Sequence, residues 1–186
     1  RRAMTAAGAT SCDRVLVLGC SGAGKTTFAT RLAALTGQPL VCLDREFWQP
    51  GWTMPQTATW RDKVRSLVAA PRWILEGTYT STLDLRLPRA DAVVWFDVRR
   101  PLCLWRAFRR SVKSYGRVRP DMAPGCPERF ALGFYRSIWT LNDVHKPQIA
   151  RALATHGAHL EPSIVRNDRD AARLLACWPS PRQGCA

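Results

Sequence analysis

Short runs of apolar residues alternate with longer segments of mixed polarity along the chain. The apolar runs predict buried strands at residues 14–18, 39–43, 73–76 and 92–97, with a weaker fifth strand at 160–165. The segments between them predict helices at residues 24–36, 55–70, 101–115, 127–153 and 168–176, the fourth broken near Pro147. This alternation predicts an α/β fold with a doubly wound parallel five-stranded sheet flanked by helices. Ligands of such sheets bind beyond the carboxyl ends of the strands.

A glycine-rich segment follows the first predicted strand and precedes the first predicted helix. Its letters, GCSGAGKT over residues 19–26, match the phosphate-binding loop pattern G-x-x-x-x-G-K-[ST], known as the P-loop or Walker A motif. The motif predicts ATP binding, with Lys25 on the β- and γ-phosphates and the Thr26 hydroxyl on Mg²⁺. The predicted nucleotide-binding residues are Gly19, Ser21, Gly22, Ala23, Gly24, Lys25, Thr26 and Thr27.

Acidic residues follow three of the predicted strands. Asp44 follows the second strand, Glu76 ends the third and Asp97 ends the fourth, so the topology brings them to the edge of the sheet that carries the P-loop. Acids at strand ends also form turns and helix caps, and this interpretation suits Asp97, which lies just before Pro101. Whether Glu76 or Asp97 completes the magnesium shell stays open.

An aromatic cluster follows Asp44 directly. Trp48 and Trp52 flank a Pro-Gly turn and have two interpretations. They form a stacking wall for a flat acceptor molecule, or they cap the hydrophobic core.

Positive charge is concentrated in one part of the chain. The sequence has 28 Lys and Arg against 14 Asp and Glu, a net charge of +14, and eight of the basic residues lie between 99 and 119. Arg106, Arg109, Arg110 and Lys113 share one face of the predicted helix, while Leu102, Trp105, Phe108 and Val112 are expected to contact the core. We expect a mobile basic lid at about residues 101–130 that closes over phosphates. A solvated basic face and a nucleic-acid groove are the alternatives.

Several classes of protein are excluded or disfavoured by composition. The longest apolar run is too short to span a membrane, and no secretory signal is recognisable at the N-terminus. Seven cysteines at irregular spacing, without a C-x-x-C pair, favour free thiols in the cytoplasm over a disulfide scaffold or a zinc ribbon. We expect a disordered leader at residues 1–12, a single domain at 13–178 and a flexible tail at 179–186.

The chain resembles a known family over residues 15–176. The resemblance rests on the P-loop and on motifs that begin at Asp44, Trp73, Leu83, Leu102, Arg119 and Gly125, including WILEGTY at residues 73–79 and RPDM at 119–122. These motifs resemble the bacterial proteins labelled DNA topology modulation proteins, which are similar in turn to adenylate and shikimate kinases. The label implies an effect on DNA, whereas the fold implies a small P-loop kinase.

The resemblance implies roles for individual residues. Asp44 matches the acid that orients or deprotonates an acceptor hydroxyl, and Arg106 and Arg110 match the arginines of a lid helix. Glu76 matches a magnesium-binding Asp, although it is one methylene longer. The Gly-x-Pro-Arg that follows this acid in nucleoside monophosphate kinases is replaced by residues 77–80, so the arginine that grips an acceptor phosphate is missing there. Arg86 either substitutes for it or lies at the surface.

The sequence thus favours a P-loop phosphotransferase that uses ATP and Mg²⁺. It would move the γ-phosphoryl group to a small nucleoside-like or hydroxylated acceptor, with Lys25, Asp44, Arg106 and Arg110 as catalytic residues. Asp44, Trp48, Trp52 and Arg86 would contact the acceptor. The alternatives are a nucleic-acid-associated NTPase or DNA topology regulator acting through residues 99–119, and a polynucleotide end kinase that combines both activities.

Overall fold

Five parallel strands form one sheet in the computed structural model, which describes residues 12–178 without the side chains of residues 141 and 142. The strands are β1 (Arg14–Gly19), β2 (Leu40–Cys42), β3 (Trp73–Glu76), β4 (Ala92–Phe96) and β5 (Ser163–Val165). Their spatial order is β2-β3-β1-β4-β5, and every neighbouring pair is parallel. The predicted fold class is confirmed. Apart from Cys12, the predicted leader and tail lie outside the described residues.

Helices cover both faces of this sheet. They are α1 (Lys25–Thr36), α2 (Leu43–Phe47), α3 (Thr57–Ala69), α4 (Leu83–Arg86), α5 (Arg100–Ser114), α6 (Leu132–His156) and α7 (Asp168–Ala176). Side chains alternate along β1, so Val15 and Val17 pack with α1, α5 and α7, whereas Leu16 and Leu18 pack with α3 and α4. Burial on both faces explains why this strand is apolar throughout. Within residues 12–178, no helix has the length and apolar composition needed to span a membrane.

The structure corrects the prediction for the long helix near the C-terminus. This helix, α6, begins at Leu132 rather than at residue 127 and continues without a break through Pro147. A proline inside a helix costs about 3 kcal/mol because it removes a hydrogen bond and crowds the preceding turn. Ile138 and Ile149, on either side of Pro147, are both almost fully buried and pack into the cores on the two faces of the sheet. Packing on both sides of the proline offsets its cost.

A second correction concerns the apolar face of α5. Leu102, Trp105, Phe108 and Val112 are exposed instead of contacting the core. The buried residues of α5 are the small side chains of Cys103, Ala107 and Ser111, which recur every fourth residue along one face. They allow α5 to approach the P-loop so closely that a Cβ on Gly22 would lie 2.2 Å from the carbonyl oxygen of Cys103. Close backbone packing therefore decides which face of α5 is buried.

The segment between α5 and α6, residues 115–131, is called the lid segment below, and it packs against the loop that carries the two tryptophans. Gly51 N donates to Gly125 O at 2.9 Å, and Trp52 Nε1 donates to Pro127 O at 3.0 Å. Met122, Ala123 and Cys126 form a small buried cluster with the tryptophans. The lid segment thus covers the carboxyl edge of the sheet. Its mobility stays a prediction.

Candidate active site

The P-loop lies between β1 and α1, as the motif predicts. Gly19 and Gly22 have positive φ angles of 138° and 79°, and both pack directly against backbone. A Cβ on Gly19 would lie 2.5 Å from Phe96 O, so neither position accommodates a side chain. The loop leads straight into the N-terminus of α1, where free backbone N–H groups and the helix dipole favour an anion.

Lys25 and Glu76 form the ionic centre of the P-loop crevice. Lys25 is 9% exposed, donates from Nζ to Cys20 O at 3.1 Å, and lies 3.4 Å from Glu76 Oε1. Burial raises the pKa of Glu76, and the nearby Lys25 ammonium partly opposes that rise. The net rise means that this buried carboxyl group takes up a proton more readily than an exposed glutamate does.

The oxygen atoms around Glu76 suit Mg²⁺. The Thr26 hydroxyl donates to Glu76 Oε2 at 3.3 Å, so the two predicted metal ligands are adjacent. Asp44 and Asp121 line the same crevice. Magnesium in nucleotide sites takes one or two protein oxygens and completes its shell with phosphate and water. Asp97, the other acid left open by the sequence, instead forms an ion pair with Lys146 and donates its backbone N–H to Val165 O.

Asp44 lies in the first turn of α2, directly after β2, and lines both the P-loop crevice and a second cavity. Its Oδ1 accepts a hydrogen bond from the Tyr79 hydroxyl at 2.7 Å. Burial and the Asp44 charge raise the pKa of Tyr79, so the phenol stays protonated and remains a donor. Tyr79 ends the WILEGTY motif, but the sequence alone indicates no role for it.

The structure corrects the expectation for Arg86. Its side chain is fully buried rather than exposed, and its guanidinium donates to the carbonyl oxygens of residues 77, 78 and 79. Burial lowers the pKa of Arg86 to about 9, which leaves it charged at neutral pH. All of these hydrogen bonds go to the backbone between β3 and α4, so Arg86 stabilises the conformation of that connection. Its guanidinium is therefore not available to bind an acceptor phosphate.

Thr78 joins this connection to the P-loop. Its Oγ1 accepts from Gly19 N at 2.9 Å and donates to Gly19 O at 2.7 Å. Arg86 holds the backbone carbonyls of residues 77–79. From this connection, Thr78 hydrogen-bonds to Gly19 in the P-loop, and Tyr79 hydrogen-bonds to Asp44. This network could not be read from the motif because it depends on backbone carbonyls.

Arginines from α5 and from the lid segment line the opposite wall of the crevice. Arg106 forms an ion pair with Asp168 at 2.7 Å, at the start of α7. Arg110 and Arg119 flank the buried Glu128, whose Oε2 lies 3.8 Å from Arg110 Nε and 3.0 Å from Arg119 Nε. The sequence predicts roles for Arg106 and Arg110 but none for Arg119 and Glu128. Their presence in the RPDM and GCPE motifs was the available signal.

Three adjoining cavities follow the edge of the sheet. A crevice of about 420 Å³ contains the P-loop with Asp44, Glu76 and the arginines. A cavity of about 460 Å³ adjoins it at Gly24, Thr27 and Arg106 and continues between α1 and α7. A pocket of about 400 Å³ lies on the other side and shares Ser21, Asp44, Arg110 and Arg119 with the crevice. The order of the cavities suits a nucleoside, its phosphates and an acceptor.

Aromatic side chains form much of the wall of the third cavity, which we call the acceptor pocket. It is lined by Trp48, Trp52, Tyr79 and Phe134 around the charged groups. The rings of Trp48 and Trp52 are 5.4 Å apart and meet edge to face. Both rings also pack against the buried Met122 cluster, so each of the two interpretations offered by the sequence describes part of their environment.

The fold is similar to that of solved structures over most of the chain. Shikimate kinase from Acinetobacter baumannii, solved in complex with shikimate, matches with a TM-score of 0.57 at 18% identity, over 89% of this chain and 90% of that one. The chain therefore shares the α/β P-loop fold of that protein. A gluconokinase from Sinorhizobium meliloti 1021 matches with a TM-score of 0.48 at 16% identity, over 89% and 92% of the two chains. No family model and no curated protein matches, so the resemblance to DNA topology modulation proteins stays a prediction.

Proposed function

We propose that the protein is an ATP-dependent phosphotransferase that phosphorylates a hydroxyl group of a small acceptor. The observation that carries this proposal is the position of Asp44, which lines both the P-loop crevice and the acceptor pocket. A carboxylate at that junction, held by Tyr79, can orient an acceptor hydroxyl toward the γ-phosphorus and take up its proton. In the reaction the new O–P bond forms to the acceptor, the bond between the γ-phosphorus and the bridging oxygen breaks, and ADP leaves.

The P-loop residues supply the triphosphate site. Their backbone N–H groups and Lys25 would hold the phosphates, and the cavity between α1 and α7 would take the nucleoside. Thr26 and Glu76 would hold Mg²⁺, which neutralises phosphate charge when bound. Arg106 and Arg110 would place positive charge beside the transferred group, so that catalysis rests on positioning and charge stabilisation.

The walls of the acceptor pocket favour a ring compound. Trp48, Trp52 and Phe134 offer faces and edges for stacking, and such contacts add about 0.5–1.5 kcal/mol each to the burial of a flat ring. With Arg86 committed to backbone carbonyls, the missing acceptor-phosphate arginine has no replacement at that position. A nucleoside-like or other ring-bearing hydroxyl compound therefore suits the pocket better than a nucleoside monophosphate.

The test is ADP release from Mg-ATP across a panel of nucleosides, nucleoside monophosphates, small hydroxylated metabolites and 5′-hydroxyl oligonucleotides. We expect strong stimulation by one class of small hydroxyl compound. Lys25→Ala and Asp44→Asn should each lose that turnover, and Asp44→Asn should still bind ATP. Stimulation in which Asp44→Asn equals the wild type would contradict the role of Asp44 as base.

A second candidate function, nucleic-acid binding, is favoured by one surface feature. Trp105, Phe108, Phe130 and Tyr115 form a row of exposed rings, each pair of neighbours 5.4–6.4 Å apart. Among the described residues, the exposed Arg109 and Lys113 beside them have no ion-pair partner. Stacking rings next to free cations are typical of surfaces for single-stranded nucleic acid. Binding of an oligonucleotide that weakens steeply with salt and is lost in Trp105→Ala would support it, whereas ADP release stimulated by polymer alone would replace the first proposal.

A further inference from the structure

Glu128 is a buried carboxylate in the lid segment, outside the phosphate and metal groups described above. It is 6% exposed, and its Oε1 accepts a hydrogen bond from the buried Ser111 hydroxyl at 2.7 Å. Its Oε2 faces Arg119 at 3.0 Å and Arg110 at 3.8 Å. A single carboxylate therefore serves two guanidinium groups that come from different elements, α5 and the lid.

The backbone of Glu128 also closes the lid segment on itself. Gly116 N donates to Glu128 O, and Glu128 N donates to Arg117 O, both at 2.9 Å. The loop closed by these bonds carries Arg119 and Asp121 into the crevice. The backbone of Glu128 thus joins the two ends of this loop, and its carboxylate holds the Arg119 side chain by an ion pair.

The two arginines are placed for an anion at the junction of two cavities. Arg110 and Arg119 both line the P-loop crevice and the acceptor pocket. The buried Nε–H of each has no hydrogen-bond partner of good geometry among residues 12–178, despite the ion pairs. Burial and the neighbouring charge of Arg119 lower the pKa of Arg110, and Glu128 opposes that shift. Glu128 is the counter-ion that these two like charges share, and Asp121 Oδ2 lies 3.2 Å from Arg119 Nη1.

We propose that Glu128 is a positioning residue that presents Arg110 and Arg119 together to the phosphoryl group in transit between the two cavities. Arg119 then acts beside Arg110 as a catalytic residue. The identity of the anion as a transferred phosphoryl group rests on the proposed function, whereas the arrangement of the two arginines at an anion site held by Glu128 does not.

The test compares Glu128→Gln with Arg119→Gln, using inorganic tripolyphosphate as an acceptor-independent probe. Glutamine retains the size of Glu128 but removes the counter-charge, so tripolyphosphate should bind roughly tenfold more tightly to Glu128→Gln and more weakly to Arg119→Gln. Glu161→Gln, the same change at an exposed site, is the matched control and should leave the affinity unchanged. Calorimetry at fixed ionic strength measures all three.

Turnover supplies the second readout. With the best acceptor, kcat of Glu128→Gln should fall about 10- to 100-fold while the KM for ATP stays equal or decreases. A merely structural role would lower the melting temperature and reduce kcat and anion affinity together, which would overturn the inference. A wild-type protein without acceptor-dependent turnover would remove the proposed function, yet the opposite shifts in tripolyphosphate affinity would still establish the anion site.

If Glu128→Gln does not fold, the two arginine variants still test the inference. Arg110→Gln and Arg119→Gln should weaken tripolyphosphate binding to a similar degree, because one carboxylate holds both groups at the same crevice. Unchanged binding in either variant would overturn the inference.

Discussion

The Tyr79 hydroxyl donates a hydrogen bond to Asp44 Oδ1 at 2.7 Å, and this bond joins the end of β3 to the first turn of α2. Tyr79 has a φ of 30°, which is unusual for a residue with a bulky side chain. Its backbone is held there because Arg86 donates to its carbonyl oxygen. The strain at Tyr79 is therefore supported by a buried cation, and it places a hydrogen-bond donor on the proposed base.

Removing the Tyr79 hydroxyl tests whether that contact orients Asp44. In Tyr79→Phe we expect kcat to fall about 10- to 100-fold, because a hydrogen bond to a charged group is lost where the acceptor hydroxyl must be aligned. The KM for ATP should change little. Steady-state kinetics measure both, and Tyr115→Phe, which alters an exposed tyrosine, is the control. Full kcat in Tyr79→Phe, with Asp44→Asn inactive, would show that Asp44 needs no such support.

Arg86 provides a test of stability. Lysine keeps the charge of Arg86 but lacks the planar fork that reaches three carbonyls, so Arg86→Lys should lose about 2–4 kcal/mol of unfolding free energy. Urea denaturation measures this loss. Arg89→Lys, an exposed neighbour three residues on, should be neutral. Equal stability of the two variants would mean that the carbonyl contacts of Arg86 contribute nothing net.

The sequence predicts the sheet and the P-loop well because both depend on local pattern. The apolar run of β1 and the spacing from Gly19 to Thr26 determine a strand, a turn and a helix N-terminus without reference to distant residues. The burial and hydrogen bonding of Arg86 could not be predicted, since its partners are backbone carbonyl oxygens, which every residue carries. Periodicity on α5 showed two faces but could not show that the face with small residues, including Cys103 and Ala107, packs against the P-loop.

The contacts of Glu128 could not be predicted from the sequence for a different reason. Ser111, Arg119 and Glu128 come from separate segments, and only the folded lid brings them together. Residues that share one motif can thus be proposed from the sequence, whereas an arrangement assembled by tertiary contacts cannot.

The pH dependence of magnesium binding tests the role of Glu76. Because burial raises the pKa of Glu76, its protonation begins at a higher pH than that of an exposed glutamate. Protonation removes a negative ligand, so the magnesium-dependent gain in affinity for a non-hydrolysable ATP analogue should decline as the pH is lowered through that raised value. Glu76→Gln should bind the magnesium complex more weakly and lack this component of the pH dependence. Calorimetry with and without Mg²⁺ separates it from titration of the nucleotide, and identical profiles for the two proteins would exclude Glu76 from the metal site.

Arg106 provides the test that separates phosphate binding from catalysis. It lines both the P-loop crevice and the cavity between α1 and α7, and its ion pair with Asp168 holds the side chain across the boundary between them. Loss of a cation that acts mainly in the transition state should reduce kcat by about 10²-fold or more in Arg106→Ala, with a smaller change in ATP affinity. Arg109→Ala removes an exposed arginine from the same helix and is the matched control. Single-turnover kinetics and ATP titration together decide the matter, because equal losses of kcat and affinity in Arg106→Ala would assign Arg106 to ground-state binding alone.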